Sequence, residues 1–210
     1  MNRIVLATRN PGKIAELDRI LGGLGAAGLE VVGLDGFPGA PDVPETELTF
    51  EGNALLKARA VAAFTGLPAV ADDSGLCVDA LNGMPGVLSA RWSGRFGAAT
   101  GDRDAANLQL LLDQTADVAD GQRGAAFVCA AVLVVPGGVE HGVEGRMRGA
   151  LIREPRGTGG FGYDPIFVPD GESRTTAEMA PGEKDAISHR GRAFRALAGL
   201  VPAALSAGSA

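Results

Sequence analysis

The chain has 210 residues, enough for one large domain or for two lobes sharing a core, and its 46% hydrophobic and 21% charged content excludes a disordered or fibrous protein. Its formal net charge of −6 excludes general nucleic-acid binding, which depends on clustered Lys and Arg, but leaves open a small polyphosphate met by a few converging cations and a metal. No apolar stretch approaches the roughly 18 residues of a membrane span and MNRIVLATRN carries no signal-peptide h-region, so a soluble, cytoplasmic protein is expected.

Residues 3–7 (RIVLA) read as a buried strand. Pro11 suits the first turn of a helix, and residues 13–24 have helical periodicity with Ile14, Leu17, Ile20 and Leu21 on one face. Residues 29–34 form a second strand, giving a β-α-β opening with parallel pairing and a right-handed crossover. A Pro- and Gly-rich loop spans 38–44. Thr49 then caps a helix over 50–64, whose apolar face carries Phe50, Ala54, Ala58, Val61 and Ala62, with Lys57 on another side. Gly52 costs that helix up to about 1 kcal/mol relative to Ala.

Residues 67–71 read as a strand ending directly in the turn Asp72-Asp73-Ser74-Gly75, with a further weak strand over 76–81 and a loop over 82–100. Residues 104–113 are helical, with Leu108, Leu111 and Leu112 inward. Residues 125–135 and 139–147 are strands joined by Pro136-Gly137-Gly138 as a hairpin, and Leu151 and Ile152 add a short strand. Helices follow over 184–188 and 192–200, and a tail near 204–210 is expected to fray. Cys77 and Cys129 sit in apolar runs without a zinc-type CxxC pair and read as two buried free thiols. The expected fold is α/β: an elongated mixed sheet flanked by helices, one domain over 1–210 made of two lobes with a substrate cleft between them.

Five segments carry candidate chemistry. Thr8-Arg9-Asn10-Pro11-Gly12-Lys13 joins a strand end to a helix start, where free N–H groups, two polar side chains and an ammonium suit a phosphate; no Walker A loop exists, and the alternative is a helix cap with a solvated lysine. Asp72 and Asp73 repel one another unless a magnesium site, a general-base role or solvation at the surface accounts for them. Successive strand residues point to opposite faces, which lets one Asp face a site and the other the scaffold. Glu45 and Glu47 precede a helix N-terminus, a place acidic residues favour anyway. The run Thr158-Gly159-Gly160-Phe161-Gly162-Tyr163-Asp164-Pro165 lets backbone approach a flat ligand closely and offers an aromatic ring for stacking; a tight turn with aromatics packed inward is the alternative. Lys184 with Ser188-His189-Arg190-Gly191 gathers donors for a carbonyl oxygen or phosphate, or alternatively a basic cluster at a helix C-terminus.

Taken together, TRNPGK, ETELTFEGNALLKA, ADDSGLCVDAL, PRGTGGFGYDPIF and EKDAISHRG, in this order and over nearly the whole chain, resemble the inosine/xanthosine triphosphate pyrophosphatases. The resemblance implies a homodimer that hydrolyses non-standard purine nucleoside triphosphates (ITP, dITP, XTP) to the monophosphate and pyrophosphate with Mg2+. It implies that Thr8, Arg9, Asn10, Pro11, Gly12 and Lys13 bind the triphosphate. Glu45 and Asp73 become metal ligands, Asp73 also the proton acceptor, Asp72 their support and Ser74 a substrate contact. Phe161, Gly162, Tyr163 and Asp164 become the base wall with Phe161 as stacking ring, and Lys184, His189 and Arg190 complete recognition. Arg9 stands where the family often has a small residue, and Gly52 is a further departure. Rival readings are a pyrophosphatase for other modified nucleotides and a non-catalytic nucleotide-binding regulator.

Overall fold

The structure is a computed structural model that describes residues 2–10, 13–14 and 29–207. Its strands are β1 (Asn2–Leu6), β2 (Leu29–Gly33), β3 (Ala69–Val78), β4 (Gly124–Val134), β5 (Glu140–Leu151) and β6 (Phe167–Pro169), in one sheet of order β2-β1-β3-β4-β5-β6. β1 runs parallel to both β2 and β3, whereas β6 runs antiparallel to β5, so the sheet is mixed and the fold α/β as expected. The parallel opening agrees with the β-α-β reading; the helix predicted over 13–24 and the hand of its crossover lie outside the described residues, apart from residues 13 and 14. The helices are α1 (Phe50–Thr65), α2 (Gly94–Thr100), α3 (Arg103–Gln114), α4 (Pro181–Ile187) and α5 (His189–Ala207).

The chain forms two compact units, the first Met1–Asp73, Cys129–Gly145 and His189–Ala210, the second Ser74–Val128 and Arg146–Ser188. In the first unit the sheet buries both faces, and strand alternation sorts its residues. Ile4, Leu6, Val70, Cys129, Ala131 and Leu133 pack with Ala193, Phe194, Leu197 and Val201 of α5. Val5, Ala7, Ala69, Ala71, Val132 and Val134 pack with Ala54, Ala58, Val61 and Ala62 of α1. Period-two alternation on a sheet with helices on both faces gives these near-continuous apolar runs. The α1 face is filled mainly by small residues, among them Ala7, Ala54, Ala58, Ala62, Ala69 and Ala71, so helix and sheet approach closely there. At Gly145 of β5 an added Cβ would run into the His189 carbonyl and come within 2.6 Å of the Ala193 amide nitrogen, both in the first turns of α5.

The second unit has its own core, in which Leu76 and Val78 of β3, Leu108 and Leu111 of α3, Phe127 of β4 and Met147 and Leu151 of β5 surround Ile166, Phe167 and Tyr163. The Phe127 and Phe167 rings meet edge-on at 4.8 Å, a favoured aromatic geometry.

Several boundaries depart from the sequence reading. Asp72 to Gly75 is no turn: the residues lie inside a single ten-residue strand, β3, that absorbs both shorter strands predicted there. Both aspartates find partners, so the backbone has no reason to leave the sheet. The supposed loop over 82–100 contains a 3₁₀ segment, Gly86–Arg91, and α2, which glycines and a missing apolar stripe hide from pattern reading. β5 runs on to Leu151, replacing the separate short strand. α5 begins at His189, earlier than predicted, and continues to Ala207 through Pro202, so the tail is helical as far as it is described. Neither cysteine is in a disulfide; Cys129 is buried, while Cys77 is only half-buried.

Candidate active site

Within the first unit, the strand parity that sorts the core also sorts the two aspartates. Asp72 shares the face of Val70, toward α5. Its Oδ2 lies 2.9 Å from Lys13 Nζ and 3.3 Å from Arg190 Nε, and the Cys129 thiol approaches at 3.8 Å. Burial alone pushes this carboxyl up, but Lys13, Arg190 and Lys57 outweigh it and hold Asp72 well below the usual carboxylate range. Asp72 is therefore a buried anion that fixes two cations.

Asp73 shares the face of Ala71, toward α1. Its Oδ2 accepts a hydrogen bond from Asn53 Nδ2 at 3.0 Å, and its Oδ1 lies 3.6 Å from Lys57 Nζ. Lys57 Nζ also reaches Glu45 Oε1 at 3.0 Å, so one ammonium joins the two carboxylates expected to hold a metal. Burial raises the Asp73 pKa, and Lys57 and Lys13 only partly oppose it while Glu45 reinforces the rise. For Lys57 burial works against the charge, yet Asp73, Glu45 and Asp72 prevail and keep it a firm ammonium.

The helix behind this pair is well started. Thr49 Oγ1 accepts from Gly52 N at 3.0 Å, a normal N-cap. A Cβ at Gly52 would lie 2.7 Å from Glu47 Cβ, so this glycine lets the acidic segment lie against the first turn of α1.

At the end of β1, Thr8 Oγ1 accepts from the Asn10 amide at 3.2 Å, and Asn10 Oδ1 accepts from the Lys13 amide at 3.2 Å, an N-cap pattern at the strand-to-helix junction. Pro11 and Gly12 lie outside the described residues. Arg9 turns away to the loop, donating to the Ala40 carbonyl at 2.6 Å with Asp42 at 3.8 Å.

The glycine-rich segment lies in the second unit, and its shape is set by carboxylates. Asp164 Oδ2 accepts from the Phe161 amide at 2.8 Å and from Lys184 Nζ at 2.6 Å, and its Oδ1 accepts from Thr176 Oγ1 at 2.8 Å. Asp104 Oδ2, at the start of α3, accepts from the Gly162 amide at 3.0 Å. Gly160 and Gly162 have φ of +72° and +61°, and a Cβ on Gly160 would strike the Asp164 carboxylate. Phe161 remains 39% exposed with Lys184 Nζ 5.3 Å from its ring centroid, within cation–π range. Tyr163 and Asp164 are buried beneath it. The Tyr163 hydroxyl donates to the Ser89 carbonyl at 2.9 Å, and burial, with Asp104, pushes its pKa up.

The expected site residues thus form two sets. Thr8, Asn10, Lys13, Glu45, Asp72, Asp73, His189 and Arg190 belong to the first unit; Ser74, Phe161, Gly162, Tyr163, Asp164 and Lys184 belong to the second. His189 and Arg190 open α5 and do not close the preceding helix, so the C-terminal dipole account of them fails. Sequence reasoning missed Asn53, Lys57, Asp104 and Thr176. The four-residue spacing of Asn53 and Lys57 was the available signal, since such a pair shares one side of a helix.

Among the described residues no group of three or more His, Cys, Asp or Glu side chains is placed to hold a metal ion. Glu45 and Asp73 supply two hard carboxylates, which suits Mg2+, an ion that takes one or two carboxylates and completes its shell with water and phosphate oxygens.

Comparison with known proteins identifies the lineage. The Ham1 family model matches residues 4–200. A dITP/XTP pyrophosphatase of Streptomyces coelicolor is 60% identical over 201 residues, covering 96% of this chain and 98% of the relative. The crystal structure of the dITP/XTP pyrophosphatase of Mycobacterium abscessus is 59% identical, with a TM-score of 0.74 over 93% of this chain and 97% of that one. The HAM1 protein of Coxiella burnetii, 41% identical, has a TM-score of 0.84 over 97% and 100% of the two chains. With a family model spanning nearly its whole length and relatives of this identity, the chain belongs to the Ham1 family.

Proposed function

We propose that this chain is an Mg2+-dependent pyrophosphatase of non-standard purine nucleoside triphosphates, ITP, dITP and XTP, releasing the monophosphate and pyrophosphate. The observation that carries this reading is the pair Glu45 and Asp73, two carboxylates held to one ammonium, with Asp73 buried. Relatives bearing the dITP/XTP pyrophosphatase name over nearly the full chain support the substrate class.

In the proposed reaction Asp73 takes a proton from water as its oxygen bonds to the α-phosphorus. The bond between the α-phosphorus and the bridging oxygen breaks, and pyrophosphate leaves. Glu45 and Asp73 would hold Mg2+, which when bound would supply charge neutralisation on the phosphate oxygens. Thr8, Asn10, Pro11, Gly12 and Lys13 hold the triphosphate, with Lys13 placed by Asp72. Arg9 shapes the neighbouring loop. Ser74 contacts substrate. Phe161 stacks on the base, Gly162 carries the close backbone approach, and Tyr163 and Asp164 secure the wall from below. Lys184, His189 and Arg190 complete recognition; the 6-oxygen of hypoxanthine or xanthine accepts from a donor that adenine's amino group would leave unpaired. Guanine shares that oxygen, so rejection of GTP rests on its 2-amino group.

Among the described residues no helix is long and apolar enough to cross a membrane, and the net charge of −6 supports a small-molecule substrate over nucleic acid. The homodimer rests on the resemblance and is checked by sedimentation. The deciding experiment is pyrophosphate release from ITP, XTP, GTP and ATP with Mg2+ and with EDTA. Fast Mg2+-dependent release from ITP and XTP alone is expected. Equal turnover of all four would remove the base-reading role, and no release from any would favour a nucleotide-binding regulator.

A further inference from the structure

We propose that Asn53 is a positioning residue that sets which oxygen of Asp73 is presented to the reacting groups. It is fully buried in the second turn of α1. Asparagine is a mediocre helix former, and a buried amide needs partners for both ends. Both ends are engaged. Oδ1 accepts from the Glu47 amide at 2.9 Å and Nδ2 donates to Asp73 Oδ2 at 3.0 Å. An amide N–H can only donate and a carboxylate only accept, so these two partners fix the orientation of the Asn53 amide.

One side chain therefore ties three segments together. It locks Glu47, two residues after Glu45, to α1, and it locks α1 to Asp73 on β3. It also divides the Asp73 carboxylate. Oδ2 is engaged by the amide, whereas Oδ1 lies on the side where Lys57 Nζ bridges to Glu45. Oδ1 is then the oxygen on the Glu45 side, where the proposed site would take its metal, and Lys57 is one helical turn from Asn53, so α1 addresses both oxygens of one carboxylate. Outer partners that orient a ligating carboxylate typically change metal affinity or activity about 10–100-fold when removed.

The proposal rests on the reading of Glu45 and Asp73 as the metal and base site, and the test separates the two. The full-length wild type and Asn53→Leu, close in volume and uncharged, are compared for kcat and KM on ITP. Both are also titrated with a non-hydrolysable α,β-methylene analogue of ITP, with and without Mn2+, by calorimetry. Asn53→Leu is expected to lose about 10–100-fold in kcat. The gain in analogue affinity that Mn2+ confers should fall by a similar factor, while metal-free affinity stays within about threefold because phosphate and base contacts are intact. A folded Asn53→Leu with kcat and Mn2+ gain within about twofold of wild type overturns the positioning role alone. A wild type with no Mn2+ gain overturns the metal reading, and the proposal with it. Should Asn53→Leu fail to fold, Asn53→Asp is compared with the exchange Asn53→Asp/Asp73→Asn, which reverses the direction of the hydrogen bond. Recovery of the unfolding midpoint in the exchange supports the pair, and its absence overturns it.

Discussion

Asp72 and Asp73 are neighbours in sequence, yet they turn to different partners: Asp72 Oδ2 lies 2.9 Å from Lys13 Nζ, and Asp73 Oδ2 accepts from Asn53 Nδ2 at 3.0 Å. Alternation along β3 turns one toward α5 and the other toward α1. The two isosteric substitutions should then fail differently. Asp72→Asn removes a buried anion from beside Lys13 and Arg190 and is expected to cost about 3 kcal/mol of stability. Asp73→Asn keeps an acceptor for Asn53, so it should hold its urea midpoint while kcat falls by at least about 100-fold. Equal losses of stability in the two variants would contradict this division of labour.

Phe161 is the exposed member of the glycine-rich wall. Stacking a base on an aromatic ring is worth about 1–3 kcal/mol, and every base has a π-face. Phe161→Ala should raise KM for ITP by a factor of about 5–150, with a similar factor for any slowly turned-over purine triphosphate. Inhibition by pyrophosphate, which has no base, should not change. A loss that strikes pyrophosphate equally would place Phe161 elsewhere.

The two glycines flanking that ring are not equivalent. Both have positive φ, but a Cβ on Gly160 meets the Asp164 carboxylate, whereas one on Gly162 meets nothing within 4 Å. In the nucleotide-free fold Gly162→Ala therefore bears only the left-handed backbone cost of about 1–2 kcal/mol. Gly160→Ala should be worse in both melting temperature and nucleotide KM, because it displaces the carboxylate that holds the Phe161 amide and Lys184. The reverse ranking, measured by calorimetry and steady-state kinetics, would refute the anchoring role of Asp164.

Acid should weaken the fold through identifiable surface pairs. Hydrogen bonds from Arg148 lower the Asp79 pKa, and those from Arg59 lower the Glu140 pKa. A carboxyl depressed in the folded state contributes stability above its unfolded value of about 4, and that contribution is lost as pH falls through the folded value. Stability is therefore expected to decline below about pH 4. The double variant Asp79→Asn/Glu140→Gln should show a shallower decline, and at pH 7 added salt should narrow its difference from wild type, because both pairs are exposed. Parallel acid limbs in urea titrations would show that these pairs do not contribute.

Much of this was legible in the residues. The apolar runs of β1, β4 and α1 and the Thr49 cap follow from pattern and chemistry, and the parity rule foresaw that Asp72 and Asp73 would part company. What escaped was polar and buried. Asn53 lies among alanines on α1, where an amide looks like an ordinary surface residue until its partners, Glu47 and Asp73, are brought in from segments six residues before it and twenty after it. Lys57 falls off the apolar stripe, and that is the side where Glu45 arrives. Gly52 looked like a helix defect and is a clearance for Glu47. Asp72 to Gly75 looked like a turn because its composition is polar, and only the neighbouring strands and charges keep it extended.

Gly145 shows how such clearances will look in a mutational survey. It carries no side chain, belongs to none of the five motifs and is assigned no substrate contact, yet any larger residue there must lever the first turns of α5 off the sheet. Those turns begin with His189 and Arg190. A saturation scan scored by turnover would rank Gly145 beside the acidic residues, as intolerant as a member of the reaction centre, and only a parallel scan scored by abundance would reveal it as the seat on which α5 rests.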